Sequence, residues 1–398
     1  MNEQIVIVGG GLAGASAATE VRDQGFSGRV VVVAAEAEHP YERPPLSKGY
    51  LAGDSDFASA LVHEPSWYDQ HDVELLLGTK VTELDRQSHE VALADGRMLG
   101  YTKLLLATGA RPRALPVPGG ERALSLRTRA DADQIRGSVS SGSRMVVVGG
   151  GWIGLEVAAM ARGAGAEVTL VETQALPLLG VLGPTVAQVF ADLHEQNGVQ
   201  LLLGSTVEHV GPDGVRVDGR LLPADVVVAG VGVAPDTTVA EAAGLAVHDG
   251  VVVDSALRTE DPDVLAAGDV ASAFHPRYGR HVRVEHWANA LNQGKAAGRS
   301  LLGQDVVYDR LPYFYTDQYD LGMEYTGWVP PEQLDQARVV VRGDLAGRSF
   351  QAFWLLSTAA GWRPVAAMHV NRWDEGIEPL KGVLEAGGTV DPEVLAAG

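Results

Sequence analysis

The sequence predicts an α/β protein built around two dinucleotide-binding units, and a repeated pattern carries that prediction. A glycine-rich segment follows a short apolar run at residues 5–21, and a similar segment occurs again at residues 145–161. Both have the order of a buried strand, a glycine-rich turn and a helix. Up to about residue 270 the chain continues to alternate short Val- and Leu-rich runs with helical segments. That alternation is typical of parallel sheets.

Three glycines in each segment have the spacing of a Rossmann-like phosphate-binding turn. The first permits the tight turn, the second lets the backbone approach a pyrophosphate, and the third lets the helix pack against the strand. The helix N-terminus then offers free N–H groups and a partial positive charge to the phosphates. The six glycines are Gly9, Gly11, Gly14, Gly149, Gly151 and Gly154. Glycines also end strands for structural reasons, so it is the repetition in full strand–turn–helix context that indicates two sites.

An acidic residue follows each glycine turn at the distance expected for a ribose contact. Glu36 ends the segment RVVVVAAE, 22 residues beyond Gly14, and Glu172 lies in the segment AEVTLVET, 18 residues beyond Gly154. Each is expected at a strand end, where a carboxylate accepts hydrogen bonds from ribose hydroxyls and repels a 2′-phosphate. Two unphosphorylated dinucleotides suggest FAD in one site and NAD in the other. The alternative for either residue alone is a solvated acid at a strand end.

The composition fits a soluble globular protein of two or three domains. The chain has 398 residues, of which 46% are hydrophobic and 21% are charged, and it contains no cysteine. That absence excludes disulfides, thiolate metal sites and flavoenzymes that relay electrons through a cysteine pair. No apolar stretch approaches the ~20 residues needed to span a bilayer. The first strand begins too early to leave room for a signal peptide, so we expect a cytoplasmic protein.

The net charge of −20 argues against a nucleic-acid or anionic-membrane surface. Basic residues nevertheless form two islands, at residues 103–129 and residues 275–310. These islands could steer an acidic partner, or several of their arginines could bind the phosphates of the cofactors. The docking candidates in the second island are Arg277, Arg280, Arg283, Arg299 and Arg310.

The chain after Pro312 has a different pattern, which predicts a separate α+β domain. Four of the seven tryptophans lie there, so we expect its core to be built differently. The alternating stretch at residues 339–357 reads as antiparallel strands. Residues 286–302, just before this domain, have helical periodicity.

Several segments, taken in order, resemble the FAD-dependent NADH:ferredoxin reductases that serve bacterial cytochrome P450 and Rieske oxygenase systems. They read GGGLAG, YERPPLSKGYL, LLLATGARPR, LRTRADA, VVVGGGWIGLE, AGDVA and EHWANALNQG. The resemblance covers the chain to about residue 325. It implies a glutathione-reductase-like fold with a discontinuous FAD-binding domain at residues 1–110 and 240–312. An NAD-binding domain at 111–239 and a C-terminal α+β domain at 313–398 would complete it.

The resemblance also implies which residues contact the cofactors. Besides the first glycine turn and Glu36, the FAD contacts would be Leu12, Ala13, Arg43, Lys48, Val81, Ala107, Thr108, Gly109, Arg127, Gly268, Asp269 and Trp287. Besides the second turn and Glu172, the remaining contacts would be Trp152, Ile153 and Gly232. Asp269 would accept a hydrogen bond from the ribityl chain, and N–H groups around Trp287 would face the flavin's pyrimidine edge. On the residues alone, Asp269 could instead cap a turn and Trp287 could be an ordinary core aromatic.

Lys48 and Glu156 are the catalytic candidates. In the family that this chain resembles, the lysine of PPLSK reaches the reactive side of the flavin and the glutamate of IGLE meets it. A buried lysine is costly unless it is paired, so each charge would justify the other. The alternative is two separate surface charges.

The resemblance implies that NADH reduces FAD by two electrons, which then leave singly to a [2Fe–2S] ferredoxin. Without cysteine no thiol relay is available, so the electrons must leave the flavin directly. Two other functions remain open. One is an NADH-responsive flavoprotein like apoptosis-inducing factor, and the other is an NADH oxidase or quinone reductase.

Overall fold

The structure is a computed structural model that describes residues 3–397. Its contacts divide the chain into two compact units. The first unit contains the chain up to Arg43, Phe57–Arg111 and Val233–Arg310. The second contains Pro44–Asp56, Pro112–Gly232 and the chain from Leu311 onward. The three-domain division stays a prediction, because the second unit groups residues 311 onward with the segment expected to bind NAD.

Helices in chain order are α1 (Leu12–Asp23), α2 (Gly49–Ala52), α3 (Pro65–Gln70), α4 (Arg129–Ser138), α5 (Trp152–Gly163), α6 (Leu179–Gln196), α7 (Thr238–Ala242), α8 (Trp287–Leu301), α9 (Glu378–Glu385) and α10 (Pro392–Ala397). Short 3-10 helices cover Pro44–Ser47, Phe57–Ala60, Gly120–Arg122, Gly268–Val270 and Pro331–Gln336.

Strands of the first half are β1 (Gln4–Val8), β2 (Arg29–Val33), β3 (Val73–Leu76), β4 (Val81–Asp85), β5 (Glu90–Leu93), β6 (Met98–Gly100), β7 (Lys103–Leu106), β8 (Ala110–Pro112), β9 (Arg144–Val148), β10 (Glu167–Glu172), β11 (Gln200–Leu203) and β12 (Val207–Gly211). Those of the second half are β13 (Gly214–Val217), β14 (Arg220–Pro223), β15 (Val226–Ala229), β16 (Val233–Pro235), β17 (Val251–Val253), β18 (Val264–Ala266), β19 (Ala271–His275), β20 (Arg280–Val282), β21 (Tyr313–Gln318), β22 (Leu321–Gly327), β23 (Arg338–Asp344), β24 (Ser349–Thr358) and β25 (Gly361–Val370).

The central sheet of the first unit has five parallel strands in the order β18-β7-β1-β2-β3. Its apolar runs are buried on both faces, as in other all-parallel sheets, and Ile5, Val6, Ile7 and Val8 are at most 5% exposed. Strands β1 and β7 are neighbours, so the turns that follow them meet at the carboxyl edge. Ligands bind at that edge in such sheets.

The second unit repeats this arrangement with four parallel strands in the order β11-β10-β9-β15. The second glycine turn follows β9, just as the first follows β1. Each unit also has a small antiparallel sheet, β4-β5-β6 in the first and β12-β13-β14 in the second. The expected pair of dinucleotide-binding folds is therefore present.

The last five strands form an antiparallel sheet in the order β21-β22-β25-β24-β23, and α9 and α10 follow it. This confirms the α+β architecture, with β23 and β24 pairing as the expected antiparallel strands. Its core is aromatic, since Phe350, Phe353 and Trp354 are at most 1% exposed. Trp373 is 54% exposed, so the tryptophans do not all build that core. Within residues 3–397, none of the helices has the length and apolar character needed to cross a membrane.

Candidate active site

The first glycine turn, which connects β1 to α1, is shaped by close backbone contacts. Gly9 has φ of 124°, which side chains rarely adopt, and a Cβ there would lie 2.1 Å from the Ala107 carbonyl oxygen. A Cβ on Gly14 would lie 2.1 Å from the Gly9 carbonyl oxygen. By contrast, a Cβ on Gly11 would have no heavy atom within 4 Å. The first and third glycines therefore allow the packing, and the second borders open space.

That open space lies at the N-terminus of α1. Gly11 is the N-cap residue, and no side chain caps the helix, which begins with Leu12 and Ala13. The first N–H groups of a helix have no partner within it and carry a partial positive charge. The turn therefore has the room and the donors for a dinucleotide pyrophosphate, so the residues present fit FAD.

The second glycine turn has the same construction. Gly149 has φ of 104°, and a Cβ there would lie 2.5 Å from the Gly230 carbonyl oxygen. A Cβ on Gly154 would lie 2.1 Å from the Gly149 carbonyl oxygen, whereas one on Gly151 would have no heavy atom within 4 Å. Gly151 caps α5 without a side-chain hydrogen bond, and Trp152 and Ile153 follow as its first residues.

A cavity of about 280 Å³ opens at this second turn. It is lined by Val148, Gly149, Gly151, Val171, Glu172, Thr173, Ser205, Val207, Gly230 and Val231. One carboxylate among otherwise apolar and small residues suits a sugar edge next to a phosphate. The cavity therefore fits part of NAD, and it includes the acid that the sequence assigned to the ribose.

Glu172 is the last residue of β10 and already has protein donors. Its Oε2 accepts a hydrogen bond from the Gly150 N–H at 2.6 Å, and its Oε1 accepts one from the Gln174 N–H at 2.8 Å. The carboxylate is therefore fixed beside the glycine turn, and its role toward a ribose stays a prediction.

Glu36 differs slightly from expectation, because β2 ends at Val33 and Glu36 lies in the loop beyond it. Its carboxylate accepts hydrogen bonds from the Tyr41 hydroxyl and from Arg43, the latter at 2.9 Å. Burial lowers the pKa of Arg43, but electrostatic interactions with Tyr41 and with the Glu36 carboxylate outweigh that effect and leave it above the usual value. Arg43 therefore stays cationic and holds Glu36.

The turn after β7 lies beside the first glycine turn. The Ala107 N–H donates to the Val8 carbonyl at 2.8 Å. The Thr108 hydroxyl donates to the Asp236 carbonyl at 2.7 Å, and the Asp236 N–H donates to the Gly109 carbonyl at 2.9 Å. These bonds fix Ala107, Thr108 and Gly109 at the carboxyl edge of the first sheet.

A second turn at this edge follows β18 and is held by α8. The Gly268 N–H donates to the Gln293 side-chain oxygen at 2.9 Å, and Gln293 is only 3% exposed. The neighbouring Asp269 is 9% exposed. Sequence reasoning missed Gln293, although its position nearly two turns into the helix of the EHWANALNQG segment was a usable signal.

Helix α8 begins at Trp287, with His286 as an N-cap residue that makes no side-chain capping bond. Trp287 is partly buried. Burial lowers the pKa of His286 to about 4, with Asp269 opposing the shift, so the imidazole is neutral near pH 7. The positive end of the helix dipole therefore has no competing histidine charge beside it.

Three further residues from the sequence prediction lie outside these contacts. Val81 begins β4 and is 4% exposed. The Arg127 N–H donates to Asp131 at 3.0 Å just before α4. The Gly232 carbonyl accepts a hydrogen bond from the Arg113 N–H at 2.9 Å. Their roles toward the cofactors stay predictions.

Lys48 and Glu156 form a buried ion pair in the second unit. Lys48 Nζ lies 2.7 Å from Glu156 Oε1, and the two side chains are 19% and 4% exposed. The Ser47 hydroxyl also donates to the Glu156 carboxylate. The expected pairing is present, and the alternative of two separate surface charges is wrong.

Comparison with known proteins is consistent with this geometry. The family model "Pyridine nucleotide-disulphide oxidoreductase" matches residues 3–294, and the model "Reductase C-terminal" matches residues 313–398. The chain belongs to the pyridine nucleotide-disulphide oxidoreductase family. Because it contains no cysteine, this member has no disulphide of its own to reduce or to use.

Curated relatives of this oxidoreductase match over most of their length. Putidaredoxin reductase CamA of Pseudomonas putida is 40% identical over 93% of this chain and 89% of that protein. The ferredoxin–NAD(+) reductase component of the anthranilate 1,2-dioxygenase system of Burkholderia cepacia is 39% identical over 99% of this chain and 97% of that protein.

Solved structures match equally widely. The covalent putidaredoxin reductase–putidaredoxin complex has a TM-score of 0.93 and 37% identity, covering 99% of this chain and 96% of that one. The ferredoxin reductase for the CYP199A2 system from Rhodopseudomonas palustris has a TM-score of 0.92 and 35% identity, covering 99% of this chain and 97% of that one.

Some basic residues in the two islands of this oxidoreductase form ion pairs with neighbouring acids. In the first, Lys103 pairs with Asp263 at 2.6 Å and Arg111 pairs with Asp236. In the second, the Arg283 side chain is only 11% exposed and pairs with Asp249 and Glu285. Arg283 is therefore less available to a docking partner than an exposed arginine, because its side chain is largely buried and already paired. Arg277, Arg280 and Arg310 are exposed.

Proposed function

We infer that this chain is an FAD-dependent NADH:ferredoxin reductase that supplies electrons through a [2Fe–2S] ferredoxin to a cytochrome P450 or a Rieske-type oxygenase. The observation that carries this inference is the match to proteins named as ferredoxin reductases. It extends over nearly the whole chain and includes the region that matches the model "Reductase C-terminal". The absence of cysteine supports it, because electrons must leave without a thiol relay. A cytoplasmic location is part of the proposal.

Each dinucleotide would be held by its own glycine turn. FAD would bind at Gly9, Gly11 and Gly14, and NADH at the cavity beside Gly151 and Glu172. Bound FAD supplies the chemistry that a side chain cannot, since it accepts two electrons from NADH and gives them up one at a time. What the protein contributes is binding, alignment and exclusion of water.

The remaining site residues would orient the flavin and tune its environment. Asp269 would accept from the ribityl chain, and the N-terminus of α8 at Trp287 would stabilise negative charge on the reduced ring. Lys48 would lie near the reactive side of the flavin, held by Glu156. These roles rest on the resemblance, on the burial of Asp269 and on the ion pair between Lys48 and Glu156.

The test follows electrons in two stages under anaerobic conditions. NADH should bleach the oxidised flavin band in a stopped-flow instrument, and purified putidaredoxin, as a [2Fe–2S] ferredoxin probe, should reoxidise it. Two parallel experiments use other acceptors: a quinone under the same anaerobic conditions, and oxygen added to the reduced protein. Slow reoxidation by every ferredoxin tried would contradict the proposal and favour a protein like apoptosis-inducing factor. Faster reoxidation by oxygen or quinone would instead indicate an oxidase or quinone reductase.

A further inference from the structure

A continuous chain of buried hydrogen bonds reaches Glu156 from α6 and from the first strand of the C-terminal domain. In order, its members are His194, Gln318, Thr316 and Glu156, and each is at most 4% exposed. Two of them lie on β21 and none was singled out by sequence reasoning except Glu156. Buried polar groups of this kind are costly unless every link is satisfied.

The hydrogen bonds all run in one direction. His194 Nε2 lies 2.9 Å from the Gln318 side-chain oxygen, which can only accept, so the imidazole carries its proton on Nε2. Gln318 Nε2 donates to the Thr316 hydroxyl at 3.2 Å, and that hydroxyl donates to Glu156 Oε1 at 2.5 Å. Every donor in the chain therefore points toward the Glu156 carboxylate.

The ring at the far end of the chain is neutral. Burial lowers the pKa of His194, with the bond to Gln318 opposing the shift. Within residues 3–397 its Nδ1 atom has no hydrogen-bond partner. His194 therefore contributes an N–H donor rather than a second positive charge, and Lys48 remains the cation that faces Glu156.

Thr316 and Lys48 bind the same oxygen of Glu156. Lys48 Nζ and the Thr316 hydroxyl both contact Oε1, whereas Ser47 holds Oε2. The next residue on β21 is Asp317; burial raises the pKa of its carboxyl group, the charge of Lys48 opposes that shift and the charge of Glu156 adds to it. Because the Thr316 hydroxyl and Lys48 Nζ share Glu156 Oε1, the hydroxyl that holds this oxygen also determines the position of the Lys48 ammonium group.

We propose that Thr316 is a positioning residue for electron entry: its hydroxyl, oriented by Gln318 and His194, fixes Glu156 and through it Lys48. The proposal rests on the proposed function, in which Lys48 and Glu156 assist flavin reduction. It gives the C-terminal domain a part in the NADH step as well as any part in acceptor binding.

The decisive variant is Thr316→Val, which keeps the side-chain shape and removes the hydroxyl. Thr326→Val is a matched control on the neighbouring strand β22, because Thr326 is 0% exposed and its hydroxyl has no partner within residues 3–397. In the FAD-loaded protein we expect Thr316→Val to slow the limiting rate of flavin reduction by NADH roughly tenfold, as for loss of a hydrogen bond to a charged group. Thr316→Ser should restore the rate to within about threefold.

A second readout does not depend on turnover. In the FAD-loaded protein without NADH, acylation of Lys48 by acetic anhydride is followed by peptide mass spectrometry, with Lys80 as internal reference. Lys48 should react several-fold faster in Thr316→Val than in the parent or in Thr326→Val. Because Thr316 acts through Lys48, adding Thr316→Val to Lys48→Ala should change the reduction rate no further.

The outcomes separate this inference from the proposed function. If the parent protein is reduced by NADH but Thr316→Val matches Thr326→Val in both readouts, the positioning role is overturned. An additive double variant, or a Thr316→Ser protein as slow as Thr316→Val, also overturns it, because the role is then packing. If the parent protein is itself not reduced by NADH, it is the proposed function that fails.

Discussion

At the scale of single residues, the site is built from carboxylates that the protein already holds in place. Glu36 accepts from Tyr41 and Arg43, Glu172 accepts from two backbone N–H groups, and Glu156 accepts from Lys48. A carboxylate held in this way keeps its orientation before a ligand arrives. The cofactor therefore meets a site that needs little rearrangement.

Coenzyme choice should depend on Glu172. NADH should be used much better than NADPH, because the fixed carboxylate would confront a 2′-phosphate. Glu172→Gln should weaken the preference for NADH. Expressed as RT ln of the ratio of the two kcat/KM values, the preference should fall by roughly 1–3 kcal/mol, the range for a charged contact in a partly solvated site. Glu167→Gln, at the exposed far end of β10, is the control. Equal kcat/KM values for both coenzymes in the parent protein would contradict the assignment.

Removal of the Lys48 charge should affect the reductive step and not flavin binding. Lys48→Ala should retain FAD, measured by its absorbance per protein, and should slow anaerobic flavin reduction by NADH roughly 10–100-fold. Lys80→Ala removes an exposed lysine, so it should retain FAD and leave the rate of flavin reduction unchanged. An unchanged limiting rate in Lys48→Ala would show that the ion pair is only structural.

Acid should destabilise the protein through His286. The folded pKa of about 4 lies below the ordinary value of 6.5, so the unfolded chain binds a proton first as pH falls. The contribution of neutral His286 to the free energy of unfolding is fully present above pH 6.5 and is lost progressively as pH falls toward 4. Between pH 7 and pH 5 this histidine should cost about 2 kcal/mol in urea unfolding.

The variant His286→Gln should lose less stability over the same interval, because its side chain does not titrate. His248→Gln replaces an exposed histidine and should follow the parent protein. If all three proteins lose stability equally between pH 7 and pH 5, His286 does not carry the acid sensitivity.

At the scale of elements, the two strand–turn–helix units were predictable because their constraints are local. A Cβ at Gly14 or Gly154 would collide with a carbonyl only five residues earlier in the chain. Strands such as β1 and β9 are equally local in origin, since they are short Val- and Ile-rich runs. Sequence reasoning therefore identified the units without any long-range information.

The contacts that sequence reasoning missed join residues that are far apart in the chain. Thr316 and Glu156 are separated by 160 residues, and Gly268 and Gln293 by 25. Nothing in the local pattern of β21 indicates that its threonine faces a carboxylate on another element. The burial of Arg283 was missed for the same reason, because its partner Asp249 comes from a distant turn.

Replacement by alanine should affect folding at Gly14 and FAD binding at Gly11. Gly14→Ala should cost roughly 1–3 kcal/mol or more in the unfolding free energy of the flavin-free protein, since its Cβ would overlap a carbonyl. Gly11→Ala borders open space at φ of −82°, so folding should be unaffected while FAD affinity falls. Urea unfolding and a flavin titration measure the two effects. Normal FAD affinity in Gly11→Ala would place the pyrophosphate elsewhere.

At the scale of the whole molecule, a protein of net charge −20 must bind its partner through a local patch. Arg277 and Arg310 remain exposed candidates for an acidic ferredoxin. The KM for ferredoxin should therefore rise with ionic strength, as a Debye length of ~10 Å at 0.1 M implies, while NADH reduction barely changes.

Charge reversal tests the same patch. Arg310→Glu or Arg277→Glu should raise the KM for ferredoxin several-fold without altering flavin content. Arg220→Glu, on the exposed strand β14, is the matched control. Insensitivity to both salt and these reversals would move the docking surface to an apolar region, with Trp328 of the C-terminal domain as the next candidate.

The sheet order of the first unit bears on how the chain folds as it is made. Strand β7 pairs with β1 on one side and with β18 on the other, and Leu106 and Ala266 are partners across about 160 residues. At roughly 5–20 residues per second, the ribosome needs roughly 10–30 s to deliver that last strand. During this interval the apolar edge of β7 is open to pairing with another nascent chain. Newly made protein should therefore depend on chaperones more than its finished, fully paired sheet suggests.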